Sequence, residues 1–402
     1  MGSAPDDRPP TGRGGRIAHA LQDRLDHPAR STRTTVVIGR LLGLALLMCF
    51  ATGLYSHYLQ DPASWMRFPT WPSNLYQITQ GVHVATGIAS IPLLLAKLWS
   101  VYPRLFQWPP LRSAQHAVER VLVGVLVAAS LVEVTIGLLN TYQWYVFPFP
   151  FRAIHLALAW VVVGALAIHV AVQLPKIVAH WSGRSREVRG AGVEGVGDGP
   201  APRTAEASRR GFLVGVGTAT AAVVLGTAGQ SFGWLRRTNL FGARTQALGP
   251  QGLPVNRTAA AAGVEQSATD AAWRLVVAHG GRTVALSRAD LEAMPQREVV
   301  LPVACVEGWS TTARWGGVRL SDVMDLVGAP HDVSVRATSL QRQGGQRVSE
   351  MGPEFASHPA TLVALRIGDD DLHLEHGYPA RLIAPARPGV EQTKWLARLE
   401  TT

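Results

Sequence analysis

Five stretches of the chain, near Val36–Tyr55, Leu75–Trp99, Gln115–Leu139, Phe151–Leu174 and Gly211–Gly229, are apolar and almost free of charge. Each is long enough for a helix to cross a bilayer core of about 30 Å, which takes roughly 20 residues. In lipid the backbone must satisfy its own hydrogen bonds, so such stretches fold as helices. The segments between them alternate in charge. The N-terminal tail is Arg-rich, the second loop holds Lys97, Arg104 and Arg112, and the fourth holds Lys176, Arg184, Arg186, Arg189 and Arg203, whereas the other two loops carry only Arg67 and Arg152. The positive-inside rule then predicts a cytoplasmic N-terminus and, after five crossings, a C-terminal part outside the membrane. The chain is 47% hydrophobic and 16% charged, with a formal charge of +10. Because the Lys and Arg gather beside apolar segments and line no polar face, membrane orientation explains the excess and nucleic-acid binding is excluded.

Composition divides the chain further. Residues 1–35 are polar and rich in Pro, Gly and Arg, so they are expected to be a disordered cytoplasmic tail without a cleavable signal. Residues 36–181 form a four-helix transmembrane unit, residues 182–207 a Gly/Arg/Pro-rich cytoplasmic linker, and residues 208–237 a fifth helix with its flank. Residues 238–269 contain few large apolar side chains and read as a second linker, which places the start of a folded domain near Asp270. The run Ser208-Arg-Arg-Gly-Phe-Leu213 looks like a twin-arginine export signal, here internal. Basic flanking of a membrane helix would require neither the Ser before the pair nor the Phe-Leu after it. Such a signal implies the twin-arginine machinery as a partner and a domain exported already folded, commonly because its cofactor is inserted in the cytoplasm.

Ionisable groups inside apolar helices are expensive and point to function. His83 lies in the second helix, His116 at the cytoplasmic end of the third, and His155 and His169 in the fourth; Glu133 lies in the third. Fourteen helical residues are about 3.9 turns and 21 Å of rise, so His155 and His169 face nearly the same side at opposite membrane surfaces, a separation that suits two stacked haems. A bis-imidazole haem needs its partners on facing helices, and His83 and His155 both fall in the outer half. This arrangement resembles the four-helix cytochrome b subunits of formate dehydrogenase and hydrogenase type, whose second and fourth helices supply the outer pair. The resemblance implies haem b on His83 and His155. Where that family takes an inner ligand from the start of its first helix, this chain reads Thr34-Thr-Val-Val-Ile-Gly-Arg40, without histidine. An inner haem on His169 would have to use His116 instead. The metal-free alternative is that these rings bond to carbonyls or hydroxyls of neighbouring helices. Glu133 could relay protons near a quinone or simply pair with a neighbouring Tyr or His.

From Asp270 the pattern changes to short apolar runs between turn residues. Trp273–Ala278, Glu298–Ala304, Leu362–Ile367 and Ala380–Ala384 read as strands, and Leu286–Ala293 and Leu320–Val327 as short helices, which gives a mixed α+β domain. Cys305 stands at the end of its strand in Cys305-Val-Glu-Gly-Trp309. At such a junction a thiolate can be presented to a soft metal. The other of the two cysteines, Cys49, lies within the first apolar helix, so a disulfide between them is implausible. His279, His331, His358 and His373 show no ligand spacing.

The Cys305 run, with His376-Gly-Tyr-Pro-Ala-Arg381-Leu-Ile-Ala-Pro385 and Gly389-Val-Glu-Gln-Thr-Lys394-Trp-Leu396, resembles in order and spacing the molybdopterin-binding domain of the sulfite oxidase superfamily. Within it, Cys-Val-Glu-Gly-Trp is similar to the periplasmic sulfoxide-reductase catalytic subunits; true sulfite oxidases follow their cysteine with a Gly-Asn-Arg-Arg run. The implied architecture is multidomain: an N-terminal all-α transmembrane bundle of four helices plus a fifth signal-anchor helix, then a C-terminal α+β molybdopterin-binding domain. The resemblance implies that Cys305 ligates molybdenum and that Arg381 and Lys394, with His376 in the same run, bind molybdopterin. Glu307 would orient a water or donate a proton, and Trp309 would wall the pocket. The ordinary alternatives are surface charges for Arg381, Lys394 and Glu307, and core packing for Trp309. The implied function is oxygen-atom transfer on an S-oxide or N-oxide outside a bacterial cell membrane, with electrons from the quinone pool. A carboxylate at Glu307 would repel sulfite, so sulfite oxidation with quinone as acceptor is second. A non-catalytic binding module on a membrane anchor is the third reading.

Overall fold

The computed structural model describes residues 12–25, 27–63, 65–181, 203–243, 249–342 and 346–402. Most of the expected linker at 182–207 lies outside them. The described chain forms two compact units, the first drawn from Met1–Phe50, Thr86–Asn140 and Trp144–Val224, the second from Ala51–Ala85, Thr141–Gln143 and Leu225–Thr402.

The first unit is helical. Its elements are α1 (Arg13–Leu25), most of α2 (Thr32–Gln60), the later part of α3 (Leu75–Val101), α4 (Ala114–Thr141), α5 (Phe151–Trp181) and most of α6 (Arg203–Ala228). Five segments, within α2 to α6 and the turn that follows α3, are long and apolar enough to cross a membrane, the shortest being 21 residues. Their apolar faces are open: α2 leaves Leu41 and Leu44 at least half exposed. The tail is a correction to the sequence reading, since residues 13–25 are a helix. Ile17, Leu21 and Leu25 recur every four residues and give it one apolar face, a pattern that the polar average of the tail hides. Gly14 lies against the ring of Trp108, to which an added Cβ would approach 3.0 Å.

The second unit is built on two sheets. One has the order β2-β1-β10-β5-β6, with β1 (Leu275–His279) parallel to β10 (Leu396–Thr401) and the remaining pairs antiparallel; β2 is Arg282–Leu286, β5 Val335–Ser339 and β6 Val348–Met351. The other joins β3 (Gln296–Ala304), β4 (Ser310–Arg319), β7 (Leu362–Ile367) and β8 (Asp370–Asp371), with β9 (Arg381–Ile383) on β7. The largest core cluster includes Leu275, Val277, Leu320, Val363 and Leu382, and also Leu59 and Tyr76 from the ends of α2 and α3. The helical segments of this unit thus share a core with the sheets.

The stretch expected to be a linker at 238–269 contains structure. A 3₁₀ turn at Pro250–Gly252 is followed by α7 (Ala259–Ala262) and α8 (Glu265–Thr269). Thr258 caps α7 by accepting the Ala261 amide. Ala259, Ala262, Val264 and Ala268 are buried against Trp395. Small side chains add little hydrophobicity to a sequence average, yet they pack closely under an indole. Further on, α9 (Arg288–Ala293) starts with a capping box between Ser287 and Asp290. Two more short helices, α10 (Leu320–Asp325) and α11 (Pro353–Ala356), complete the α+β fold.

Candidate cofactor cavity

Strand β3 ends at Ala304, paired with Ser310 of β4, and the five residues between them form a closed loop. The Cys305 amide donates to the Trp309 carbonyl at 2.8 Å, and the Gly308 amide donates to the Cys305 carbonyl at 3.0 Å. The loop places Cys305, only 1% exposed, in the wall of a small cavity. Trp309, His376, Arg381 and Lys394 line the same cavity. Of the residues singled out for this part of the chain, only Glu307 does not. Its carboxylate accepts from the Trp309 indole at 3.0 Å and from the Gln143 side-chain amide, and it is buried. The sequence shows its position two residues from the thiol, but not that its oxygens turn to these two donors.

The cations of the cavity have no carboxylate partner among the described residues. Arg381 opens β9 with its guanidinium 5.3 Å from the Trp315 ring centroid; one terminal nitrogen donates to the His376 carbonyl at 3.3 Å. Its Nε is buried without a hydrogen-bond partner among the described residues. Burial pulls its pKa down to about 10, so it stays charged near neutrality. Lys394 donates to the carbonyls of Arg257 at 2.6 Å and Glu375 at 3.0 Å, and sits 4.3 Å from the Trp395 ring centroid. Burial first, then the charge of Arg381, pushes its pKa down to about 7. His376 donates from Nε2 to the Pro250 carbonyl at 2.6 Å, which fixes the tautomer because a carbonyl only accepts. Burial lowers its pKa to about 4, so it is neutral at pH 7. A buried Arg with an unused N–H and a buried Lys held only by carbonyls form a cradle for an anion. A thiol beside it can ligate a soft metal. The residues present therefore fit a metal-bearing, phosphate-carrying organic cofactor.

Sequence reasoning missed the opposite wall, which Leu253, Pro254 and Asn256 supply from the stretch taken as a linker, together with Thr311 of β4. Nothing in a Pro/Gly-rich stretch marks such residues in advance.

The candidate haem ligands are placed separately. In the second unit, His83 of α3 packs on Gly53 of α2, and its Nδ1 lies 3.5 Å from the Thr52 hydroxyl. In the first unit, Nδ1 of His155 is 3.1 Å from a Glu133 oxygen, within pairing distance though off the line of a good hydrogen bond. Holding Nδ1 in this way is how proteins orient an imidazole that ligates through Nε2. His116 accepts the Arg112 amide at 3.3 Å just before α4, a local role at the helix start. His169 stands on α5, fourteen positions after His155.

Residues 261–402 match the family of oxidoreductase molybdopterin binding domains. The match covers about a third of the chain and supports a molybdopterin-binding oxidoreductase domain there. The chain is 30% identical over 113 residues to the putative protein-methionine-sulfoxide reductase subunit YedZ1 of Azospira oryzae, covering 28% of this chain and 42% of that one. It is 30% identical over 157 residues to the sulfite oxidase of Gallus gallus, covering 30% and 32%. Over 153 residues it is 28% identical to the mitochondrial sulfite oxidase of Homo sapiens, covering 31% and 28%. The family match and the two sulfite oxidase likenesses support the sulfite oxidase superfamily for residues 261–402. The chain spans well under half the length of each of these relatives.

Proposed function

We propose that the protein is a membrane-bound molybdenum-cofactor oxidoreductase that transfers an oxygen atom from a small S-oxide or N-oxide outside the membrane, with quinol as reductant. In the sulfoxide case R₂SO and QH₂ give R₂S, Q and H₂O, so the quinol supplies two electrons and both protons of the water. The observation that carries this reading is the cavity that joins the Cys305 thiol to Arg381 and Lys394, two cations without carboxylate partners among the described residues. Molybdopterin, when bound, supplies a two-electron metal centre. Cys305 holds the metal, Arg381 and Lys394 hold the anionic part of the cofactor, and neutral His376 fixes the Pro250 side of the wall. Trp309 keeps water from the remaining space, and Glu307 steadies it through the indole N–H.

The five apolar helices, with side chains such as Leu41 and Leu44 uncovered, support a membrane anchor, and Arg209–Arg210 support export of the folded domain by the twin-arginine route. Haem b on His83 and His155 as the outer pair, and on His169 and His116 as the inner, would carry electrons from quinol. The contacts of Thr52 with His83 and of Glu133 with His155 support the outer pair. The second reading, oxidation of sulfite with quinone as acceptor, gains from one finding. Glu307 is not among the residues that line the cavity, and its oxygens accept from Trp309 and Gln143, which weakens its repulsion of an oxyanion.

Metal analysis and assays on the full chain in detergent test the reading. Stoichiometric molybdenum that disappears in Cys305→Ala, with quinol-dependent reduction of a sulfoxide, is the expected result. Molybdenum with sulfite-dependent quinone reduction and no sulfoxide reduction would favour the second reading. Wild-type protein without molybdenum from a pterin-competent host would end both.

A further inference from the structure

The loop that carries Cys305 is held largely by residues from outside the 261–402 domain. Gln80 of α3 donates its side-chain amide to the Val306 carbonyl at 2.8 Å. The Gln80 oxygen lies 3.4 Å from the Tyr76 hydroxyl, which is 3.0 Å from the Ser56 hydroxyl of α2. Ser56, Tyr76 and Gln80 are all buried, so this is a sheltered polar chain that ends on the residue next to the thiol. One turn earlier on α3, Gln77 donates to Ser310 Oγ at 2.8 Å. The Ser231 hydroxyl donates to the Gly308 carbonyl, and the Ser310 amide donates to the Gln230 carbonyl at 2.8 Å. Gln143, in the turn after α4, donates to Glu307, whose other oxygen holds the Trp309 indole. Gln143 itself has φ of 54°, a left-handed conformation that costs a non-glycine residue and persists only where surroundings impose it.

Gly308 shows how close the contact is. Its φ is 93°, and an added Cβ would come within 2.6 Å of a Val84 methyl on α3. The backbone conformation and the space both require glycine.

We propose that Gln80 and Gln143 are positioning residues for the metal site: Gln80 fixes the Cys305 end of the loop, and Gln143, through Glu307, fixes the Trp309 wall. The sulfur and the indole are then set by the helical segments as much as by β3 and β4. The assignment rests on the proposed function only where molybdenum is measured, because the restraint on the thiol exists without metal.

The experiment uses the full chain in a Cys49→Ala background, leaving Cys305 as the one thiol. In cofactor-free protein from a pterin-deficient host, alkylation of Cys305 by iodoacetamide should be at least about tenfold faster in Gln80→Leu, as expected when a buried hydrogen bond closing the loop is lost. Ser231→Ala, a milder change, should act in the same direction if Gln80→Leu fails to fold. In molybdenum-loaded protein, Gln143→Leu should raise KM for the sulfoxide more than it lowers kcat, and Gln80→Leu should alter the Mo(V) electron paramagnetic resonance signal. Wild-type alkylation rates in folded Gln80→Leu and Ser231→Ala, or a wild-type Mo(V) signal with unchanged KM in the loaded variants, would overturn the assignment. Absence of molybdenum from wild type would remove the functional reading, while the alkylation rates would still decide the positioning role.

Discussion

Lys394 is the residue whose environment makes the sharpest demand. Its pKa is near 7 in the fold, against an ordinary value of 10.5. Between those two values the unfolded chain binds a proton that the folded chain does not, so stability rises with pH by up to about 1.4 kcal/mol per unit. The penalty is complete below pH 7 and is relieved as pH climbs toward 10.5. Cofactor-free protein should therefore melt at a higher temperature at pH 9 than at pH 7, and Lys394→Met should remove that increment. His376 has the same sign in a lower window: with a folded pKa of about 4 against 6.5, stability falls as pH drops from 6.5 to 4. Anion binding beside Lys394 raises its pKa again, so cofactor uptake at pH 8 should take a proton onto Lys394 while the Cys305 thiol gives one up to ligate metal; calorimetry in buffers of different ionisation enthalpy should therefore show net proton release in Lys394→Met that is smaller or absent in wild type. At Gly308, alanine should destabilise the protein by about 1–3 kcal/mol, part strain and part clash. Val84→Ala in the same chain should recover the clash but not the strain, which a double-mutant cycle of melting temperatures separates.

At the scale of elements, the sequence was most legible where apolar runs are unbroken. The five long helices and the strands β1, β3, β7 and β9 follow from such runs, and the helices α9 and α10 from apolar residues spaced along short polar segments. Strand β4 did not, because Gly316-Gly317 interrupts its apolar pattern. The structure uses those glycines within the strand, where a Cβ on Gly317 would lie 2.2 Å from the Val363 carbonyl oxygen of β7 and the register shifts. The short strands β2, β5 and β6, the four-alanine α7 and the polar α8 carry only a weak hydrophobic signal. Of the site, Cys305, Trp309, His376, Arg381 and Lys394 were visible as motif pieces, whereas Gln77, Gln80 and Gln143 belong to no motif. Two amides three residues apart in an apolar helix were the available sign. Two expectations belong to this scale. Ala262→Leu should overpack α7 against Trp395 and cost about 1–3 kcal/mol, read from a shift in melting temperature. His155→Ala should abolish the outer b-type absorption band while molybdenum content at Cys305 stays at the wild-type level, separating the two proposed centres by spectrum and by metal analysis.

For the molecule as a whole, the two compact units do not follow the boundary between helices and sheets. The second unit takes in Ala51–Ala85 and Thr141–Gln143, and with them the side chains that hold the Cys305 loop. Replacing Arg209 and Arg210 with lysine should leave the C-terminal domain accessible to protease only from the cytoplasmic side of sealed vesicles, if export runs as proposed. The strand order has its own bearing on what holds that domain together. β10, which ends at Thr401, lies in the middle of its sheet between β1 and β5, and Lys394 and Trp395 immediately precede it. β1 and β5 do not pair with each other, so β10 alone joins the two halves of this sheet. A break in β10 would accordingly part β1–β2 from β5–β6 and unseat Lys394 and Trp395 in the same stroke.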